Sequence, residues 1–243
     1  MDFAALLRQL ESAPNSTYRY PDAAAQIEAK LPPTKREAER LLWHDALSRA
    51  FGAEHPIAGV ALDAGCGDGA YLLELSERFE HVGAGDPDAR RVARARERCP
   101  GVPVFALGLE EALAGVEGVL RLAQSMQVLG HLSCEGAQRA MGRLARSLSP
   151  DGVLLLAVPY TNVFADEFRV SELGVPESRR VPREEYDELA SRPRPGALPV
   201  RHLSMLSLTA LLDGAGLRAE WSSPYGWLNY ELADLLVLAR AGR

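Results

Sequence analysis

Several things are scarce in this chain, and each scarcity closes off a class of protein. Cysteine occurs three times, as Cys66, Cys99 and Cys134, without Cys-x-x-Cys spacing. That pattern builds neither a disulfide framework nor a zinc site, so a reducing compartment is expected and no metal. No apolar stretch approaches the roughly 20 residues that cross a bilayer. The opening "MDFAALLRQLESA" makes a poor signal peptide, because Asp2 and Arg8 bracket only a short apolar run. Positive charge is short as well: the formal net charge of −6 speaks against a protein that mainly grips phosphate backbones. No internal repeat or low-complexity tract is present. The expectation is a cytoplasmic protein with a small-molecule partner, nucleic acid and membrane being disfavoured and the oligomeric state left open.

A chain of 243 residues suits one domain with a cap, or two small domains. From residue 58 onward short apolar runs alternate with helical patterns. Strands are predicted at 59–63, 82–86, 102–106, 118–124 and 152–158, with helices at about 70–79, 88–98, 109–114 and 134–148. Apolar strands alternating with helices give a parallel sheet covered on both faces. The rhythm then stops. Residues 159–202 carry six prolines among mixed charges and one short helix near 183–191, and a stretch this long without regular structure reads as a lid. Order returns with a helix at 204–215 and strands at 217–222 and 233–239. Residues 1–57 read as a helical cap over the open end of the sheet: Phe3, Leu6, Leu7 and Leu10 form one stripe, and Leu41, Leu42, Ala46 and Leu47 another.

The first strand runs into "DAGCGDGA", with Gly65, Gly67 and Gly69 at alternate positions. Glycines here leave the backbone open to a ligand and allow φ values that other residues resist. Gly65, Gly67 and Ala70 also satisfy the dinucleotide fingerprint, with Asp86 at the required distance. Asp63, two residues before the first glycine, gives D-x-G-x-G-x-G instead, and this form resembles the first motif of the class I S-adenosylmethionine-dependent methyltransferases. "HVGAGDPDARRVARARER" is similar to their second strand and helix, "LARSLSPDGVLLLAVPY" to the entry into their fifth strand, and "RHLSMLSLTALLDGAGLRAEW" to their late helix and sixth strand. The resemblance implies a Rossmann-like α/β fold, doubly wound, with a mostly parallel seven-stranded sheet. Residues 58–243 would form it, with the lid 159–202 inserted after the fifth strand and the helical cap 1–57 in front.

S-adenosyl-L-methionine is the cofactor the resemblance implies. Asp63, Ala64, Gly65, Cys66, Gly67 and Gly69 would face its methionine part, and Asp86, followed by Pro87, its ribose hydroxyls. The cofactor has no phosphate, and the loop has no lysine. Where relatives place an acid for the adenine amino group this chain has Leu109, expected to pack on the ring, with Glu110 beside it as an alternative polar contact. Arg121 stands where relatives often begin the fourth strand with an acid. "SMQVLGHLS" resembles the segment that follows this strand in small-molecule methyltransferases of the ubiquinone-biosynthesis type, so Gln124, Ser125 and Met126 would line the cofactor cleft. Gln127 and His131 would then lie near the methyl group. His131 titrates in the range a general base needs for a phenol or alcohol. Tyr18, Tyr20, Tyr160, His202, Trp227 and Tyr230 are the further candidates for a pocket around a flat organic acceptor. Arg90, Arg94 and Arg98 share one helical face, either a solvated surface or a phosphate-binding stripe. The reading is O-methylation of a small organic acceptor; the alternatives are an RNA methyltransferase, an NAD-dependent dehydrogenase, or a protein that binds the cofactor without turnover.

Overall fold

The computed structural model describes residues 3–16, 18–22, 32–52, 55–109, 113, 115–229 and 231–242. Among the described residues two helices precede the sheet, α1 (Phe3–Ser12) and α2 (Pro33–Phe51). Then follow β1 (Ile57–Ala64), α3 (Leu72–Arg78), β2 (Phe79–Gly85), α4 (Ala89–Arg98), β3 (Val104–Phe105) and β4 (Leu120–Met126). After a single 3-10 turn, Leu129–His131, come α5 (Cys134–Ser147), β5 (Leu148–Thr161), β6 (Glu167–Glu172), β7 (Arg179–Arg180) and α6 (Arg183–Ser191). The chain closes with β8 (Ala197–Ser204), α7 (Met205–Gly214), β9 (Leu217–Tyr225) and β10 (Leu232–Ala241). The helix expected at 109–114 lies largely outside the described residues.

Strands β3-β2-β1-β4-β5 are parallel neighbours; β10 runs antiparallel beside β5 and pairs with β9 on its other edge. Successive side chains of a strand face opposite sides, and both sides here are buried. In β5, Leu154, Leu156 and Val158 join one core with Leu6, Leu10, Met141 and Leu144. Val153, Leu155 and Ala157 join the other with Trp43, Leu47, Leu72 and Val92. Helix starts are fixed locally: Asp88 caps α4 by accepting from Arg90 N, Ser133 caps α5 through Gly136 N, and Ser204 caps α7 through Ser207 N.

Three expectations need correcting. The main sheet β3-β2-β1-β4-β5-β10-β9 has the seven strands expected, but 159–202 is not irregular: β6, β7 and β8 form a small antiparallel sheet joined to it through β8, with α6 packed on it. Its first and last strands pair six residues deep, from Glu167 opposite His202 to Glu172 opposite Ala197. Prolines fit because Pro199 lies in β8 and Pro182 precedes α6, where a missing N–H is tolerated. Second, Leu41 is 70% exposed, and the buried face of α2 is Trp43, Ala46, Leu47 and Phe51. Residue 41 sits about 160° around the helix from residue 43, so the two cannot share a face. Third, residues 1–57 do not simply cover the open end. Leu6 and Leu10 of α1 join one core and the C-terminal half of α2 the other, while Lys35, Glu39 and Trp43 of α2 reach side chains near the carboxyl ends of the strands.

Candidate functional site

The turn after β1 is set by its glycines. Gly65, Gly67 and Gly69 have φ of 93°, 53° and 77°, values that strain any residue with a Cβ. A Cβ on Gly65 would also stand 2.2 Å from Val128 Cγ2. The backbone N–H groups of Gly65 and Cys66 both donate to the Gly85 carbonyl, which holds the turn against the end of β2. Asp86 then ties the turn to the next helix: its carboxylate accepts from Gly67 N and Asp88 N, both at 2.9 Å. Burial raises its pKa, against the pull of these two N–H groups and of the Arg91 guanidinium.

Asp63 is fully enclosed at the end of β1, level with Gln124 on β4. Burial pushes its pKa up to about 7; Gln124 opposes the rise and Asp86 adds to it. Its Oδ1 has no hydrogen-bond partner among the described residues, nor has Gln124 Nε2. Gln124 Oε1 takes the indole N–H of Trp43 at 2.6 Å, so this residue serves the α2 contact. Ser125 donates to the Ala64 carbonyl at 3.0 Å and Met126 lies in a core cluster; both hold the strand ends together. Cys66 is buried, its thiol pKa pushed well up by burial. Pro87 is half-buried beside Asp86, and Leu109 is buried at the edge of the same core as β1. Glu110 lies outside the described residues.

On the β4 side, Gln127 has φ of 59°, the left-handed value found at no other described non-glycine residue. Such strain persists where surrounding structure enforces it, and it gathers at functional sites. The 3-10 turn that follows presents His131, whose Nδ1 lies 2.9 Å from the Pro199 carbonyl of β8. A carbonyl only accepts, so Nδ1 carries the proton and Nε2 is the basic nitrogen of the neutral ring. Tyr20 meets His131 edge-on at 5.7 Å, lies under the Arg91 guanidinium, and donates its backbone N–H to Asp88. Tyr18 stands against Asp86 and Asp88: its pKa is pushed up to about 12, by burial first and then by these two carboxylates. His202 is buried on β8 with Nδ1 unpartnered; burial pushes its pKa down to about 4, Arg169, Lys35 and His131 acting in the same direction and Glu167 against. Tyr160 is half-buried and packs on the core. Trp227 is 49% exposed in the turn between β9 and β10, outside this group, and Tyr230 lies outside the described residues.

The structure adds five residues absent from the sequence reading. Glu39 accepts the hydroxyls of Tyr71, at 2.5 Å, and of Tyr225. Gln127 Nε2 points at both Glu39 and the Tyr225 hydroxyl, at 3.4 and 3.0 Å. Beside them the Lys35 ammonium meets Asp234 at 2.5 Å, and burial pushes the Asp234 pKa up to about 6 against that ion pair. Residues 35, 39 and 43 share one helical face, so a charged pair continuing the stripe of a buried Trp was the available signal. The arginine stripe of α4 lies on an exposed face, where Arg90 pairs with Asp88 and Asp22, Arg91 and Arg94 both pair with Asp68, and Arg98 is exposed.

Comparison with known proteins agrees with this geometry. The family described as "Methyltransferase domain" matches residues 61–152. A trans-aconitate 2-methyltransferase of Acidovorax sp. (strain JS42) is 33% identical over 135 residues, covering 48% of this chain and 50% of that protein. The chain thus spans about half the length of the named relatives it matches. Among solved structures, a Burkholderia thailandensis 1,6-didemethyltoxoflavin-N1-methyltransferase, holding 1,6-didemethyltoxoflavin and S-adenosylhomocysteine, superposes with a TM-score of 0.57 at 20% identity over 95% of this chain and 94% of its own. An S-adenosylmethionine-dependent methyltransferase from Clostridium acetobutylicum gives 0.59 at 10% identity over 89% and 95%. Such identities speak for the fold. Residues 61–152 are thus similar to the methyltransferase-domain family, and the chain has the fold of the class I S-adenosylmethionine-dependent methyltransferases.

Proposed function

We propose that this protein transfers a methyl group from S-adenosylmethionine to an oxygen of a small organic acceptor, in the cytoplasm. The carrying observation is the pairing of Asp63 and Asp86 across the open glycine turn. In open α/β sheets ligands sit outside the carboxyl ends of the strands, at the switch between β1 and β4. Asp63 Oδ1 is buried there without a partner among the described residues and suits a donor such as the cofactor's ammonium. Each Asp86 oxygen accepts one backbone N–H and retains capacity for a ribose hydroxyl. No lysine lies in 63–70, which suits a ligand without phosphate better than a dinucleotide. Leu109 would pack on the adenine.

When bound, S-adenosylmethionine supplies an electrophilic methyl group on a sulfonium. The chain's task is to hold the acceptor in line with it and to take the acceptor's proton. His131 is the proposed base: the Pro199 carbonyl fixes its tautomer, with the proton on Nδ1 and the basic lone pair on Nε2. Tyr18 and Tyr20 bring the N-terminal cap to the same strand ends, and β8 supplies His202 from the other side. The RNA reading draws no support from α4, where Arg90, Arg91 and Arg94 are engaged with aspartates.

Thermal-shift and calorimetric titrations with S-adenosylhomocysteine and with NAD test the cofactor, and transfer of labelled methyl groups to extracted metabolites and to RNA tests the acceptor class. Stabilisation by S-adenosylhomocysteine and label in small molecules are expected. Tighter NAD binding, or label confined to RNA, overturns the proposal.

A further inference from the structure

We infer that the acceptor carries a cationic or N–H-bearing group anchored by Glu39, and that a polycarboxylate such as trans-aconitate is not the substrate. The inference rests on the methyl-transfer reading, and it concerns the side of the cleft beyond the glycine turn. Gln127 follows β4 directly, Asp234 opens β10 and Tyr225 closes β9, so all three stand at the strand ends on the side away from Asp86. Glu39 reaches this place from α2 and touches Tyr71, just past the glycine turn. The group therefore borders the cofactor cleft on the side left for the acceptor.

Its chemistry is one-sided. The Tyr71 and Tyr225 hydroxyls donate to Glu39, the Gln127 amide nitrogen points at Glu39 and Tyr225, and the Lys35 ammonium meets Asp234. With these donors directed inward, the group offers a ligand chiefly acceptor atoms: carboxylate oxygens, phenol lone pairs and the Gln127 carbonyl. With the Lys35 ammonium paired to Asp234, the carboxylate of Glu39 is left as the charge a ligand meets among the described residues. An anion brought here is desolvated against like charge, whereas an ammonium gains charge-assisted hydrogen bonds. Glu39 and Gln127 are half-exposed while Tyr225 and Asp234 are buried, so the carboxylate stands at the accessible edge.

A second observation comes from the opposite wall. His202 is buried with an unpartnered Nδ1, and its charge is opposed by Lys35 as well as His131. A ligand at this wall would give the nitrogen the partner the described residues do not supply.

The test uses two probes of one shape and opposite charge. Tyramine and 4-hydroxyphenylacetate, with trans-aconitate as a third, are titrated calorimetrically into the full chain loaded with S-adenosylhomocysteine. Tyramine is expected to bind at least tenfold tighter than either acid. Glu39→Gln should weaken tyramine by about 10- to 100-fold, the range for a hydrogen bond to a charged group, and leave S-adenosylhomocysteine affinity unchanged. Glu39→Asp, which keeps the charge, should keep the order of the probes and guards against a folding defect in the amide variant. Equal or tighter binding of an acid, binding of no probe, or a tyramine preference that survives Glu39→Gln overturns the inference. Failure of S-adenosylhomocysteine to bind would instead strike at the methyl-transfer reading beneath it.

Discussion

Asp63→Asn should make the cofactor-free protein more stable at neutral pH and a poorer binder of cofactor. The carboxyl is fully enclosed, lacks a partner at Oδ1, and has its pKa pushed from 3.8 to about 7 by burial. Between those values the folded protein holds a proton that the unfolded chain has lost. Stability therefore falls as pH rises through that window and levels off above about 7. A shift of roughly 3 units at 1.36 kcal/mol each sets the cost of ionisation at roughly 4 kcal/mol, an upper figure because local water and relaxation reduce it. Asparagine carries no charge to desolvate, and its oxygen can accept from the unpartnered Gln124 Nε2. Urea unfolding of both proteins from pH 5 to 8, without cofactor, is the assay. The two curves should approach each other at pH 5 and separate by about 2–4 kcal/mol at pH 8, the wild type losing stability relative to the variant as pH rises to about 7. S-adenosylhomocysteine affinity should drop about 10- to 100-fold in the variant, as expected for loss of a charged acceptor. A variant less stable at pH 8, or one with the wild-type slope, would refute the view that Asp63 is an uncompensated buried carboxylate.

Asp86→Ala should orphan the N–H groups of Gly67 and Asp88, lowering stability by about 1–3 kcal/mol for each; S-adenosylhomocysteine should bind about 10- to 100-fold more weakly, and unchanged calorimetry in a folded variant removes Asp86 from the site. Gly65→Ala sets a Cβ 2.2 Å from Val128 Cγ2 at a φ of 93°. It should cost at least about 2 kcal/mol in thermal unfolding, from left-handed strain and overpacking. Adding Val128→Ala should recover the steric part and not the strain; a double variant no better than the single would show that the clash is relieved elsewhere. His131→Ala should lower turnover by at least about tenfold with cofactor affinity intact. The rate of the wild type should rise with pH through a group near ~6.5, and that rise should vanish in the variant; a surviving pH profile makes His131 structural.

The central sheet was legible because its strands are continuous apolar runs, "GVALD" and "GVLLLAV", punctuated by glycine and proline turns. The D-x-G-x-G-x-G turn was legible for a related reason: positive φ at three alternate positions needs a residue without Cβ, and that requirement shows in the letters. The small sheet was hidden. β6 and β8 are held by pairing partners distant in sequence, from Glu167 with His202 to Glu172 with Ala197, and their short, charge-rich sequences show little of the alternation that marks a half-buried strand. Glu39 was hidden too, since a glutamate in "TKREAERLL" reads as solvated surface until Tyr71, Tyr225 and Gln127 are brought to it from distant parts of the chain. Local chemistry leaves a trace in sequence; a hydrogen bond across 186 positions does not.

β5 spans Leu148–Thr161 and outruns β4, so its last two residues take β8 as a new neighbour while β10 follows the other edge. The small sheet is thus grafted onto the same rail as the main one. Tyr186 adds two further ties, donating to the Gly130 and Leu132 carbonyls on either side of His131, and Asp187 takes the N–H of Cys134. Swinging this segment outward as a door would part strand pairing and helix-cap bonds together, and would drag His131 out of register each time. The N-terminal loop meets the opening differently, edge-on through Tyr20, with Asp88 and Arg90 as its anchors. Traffic of ligands past that loop would leave the wall behind His131 standing, so the mouth and the chemical wall of the cleft are mechanically separate parts of the molecule.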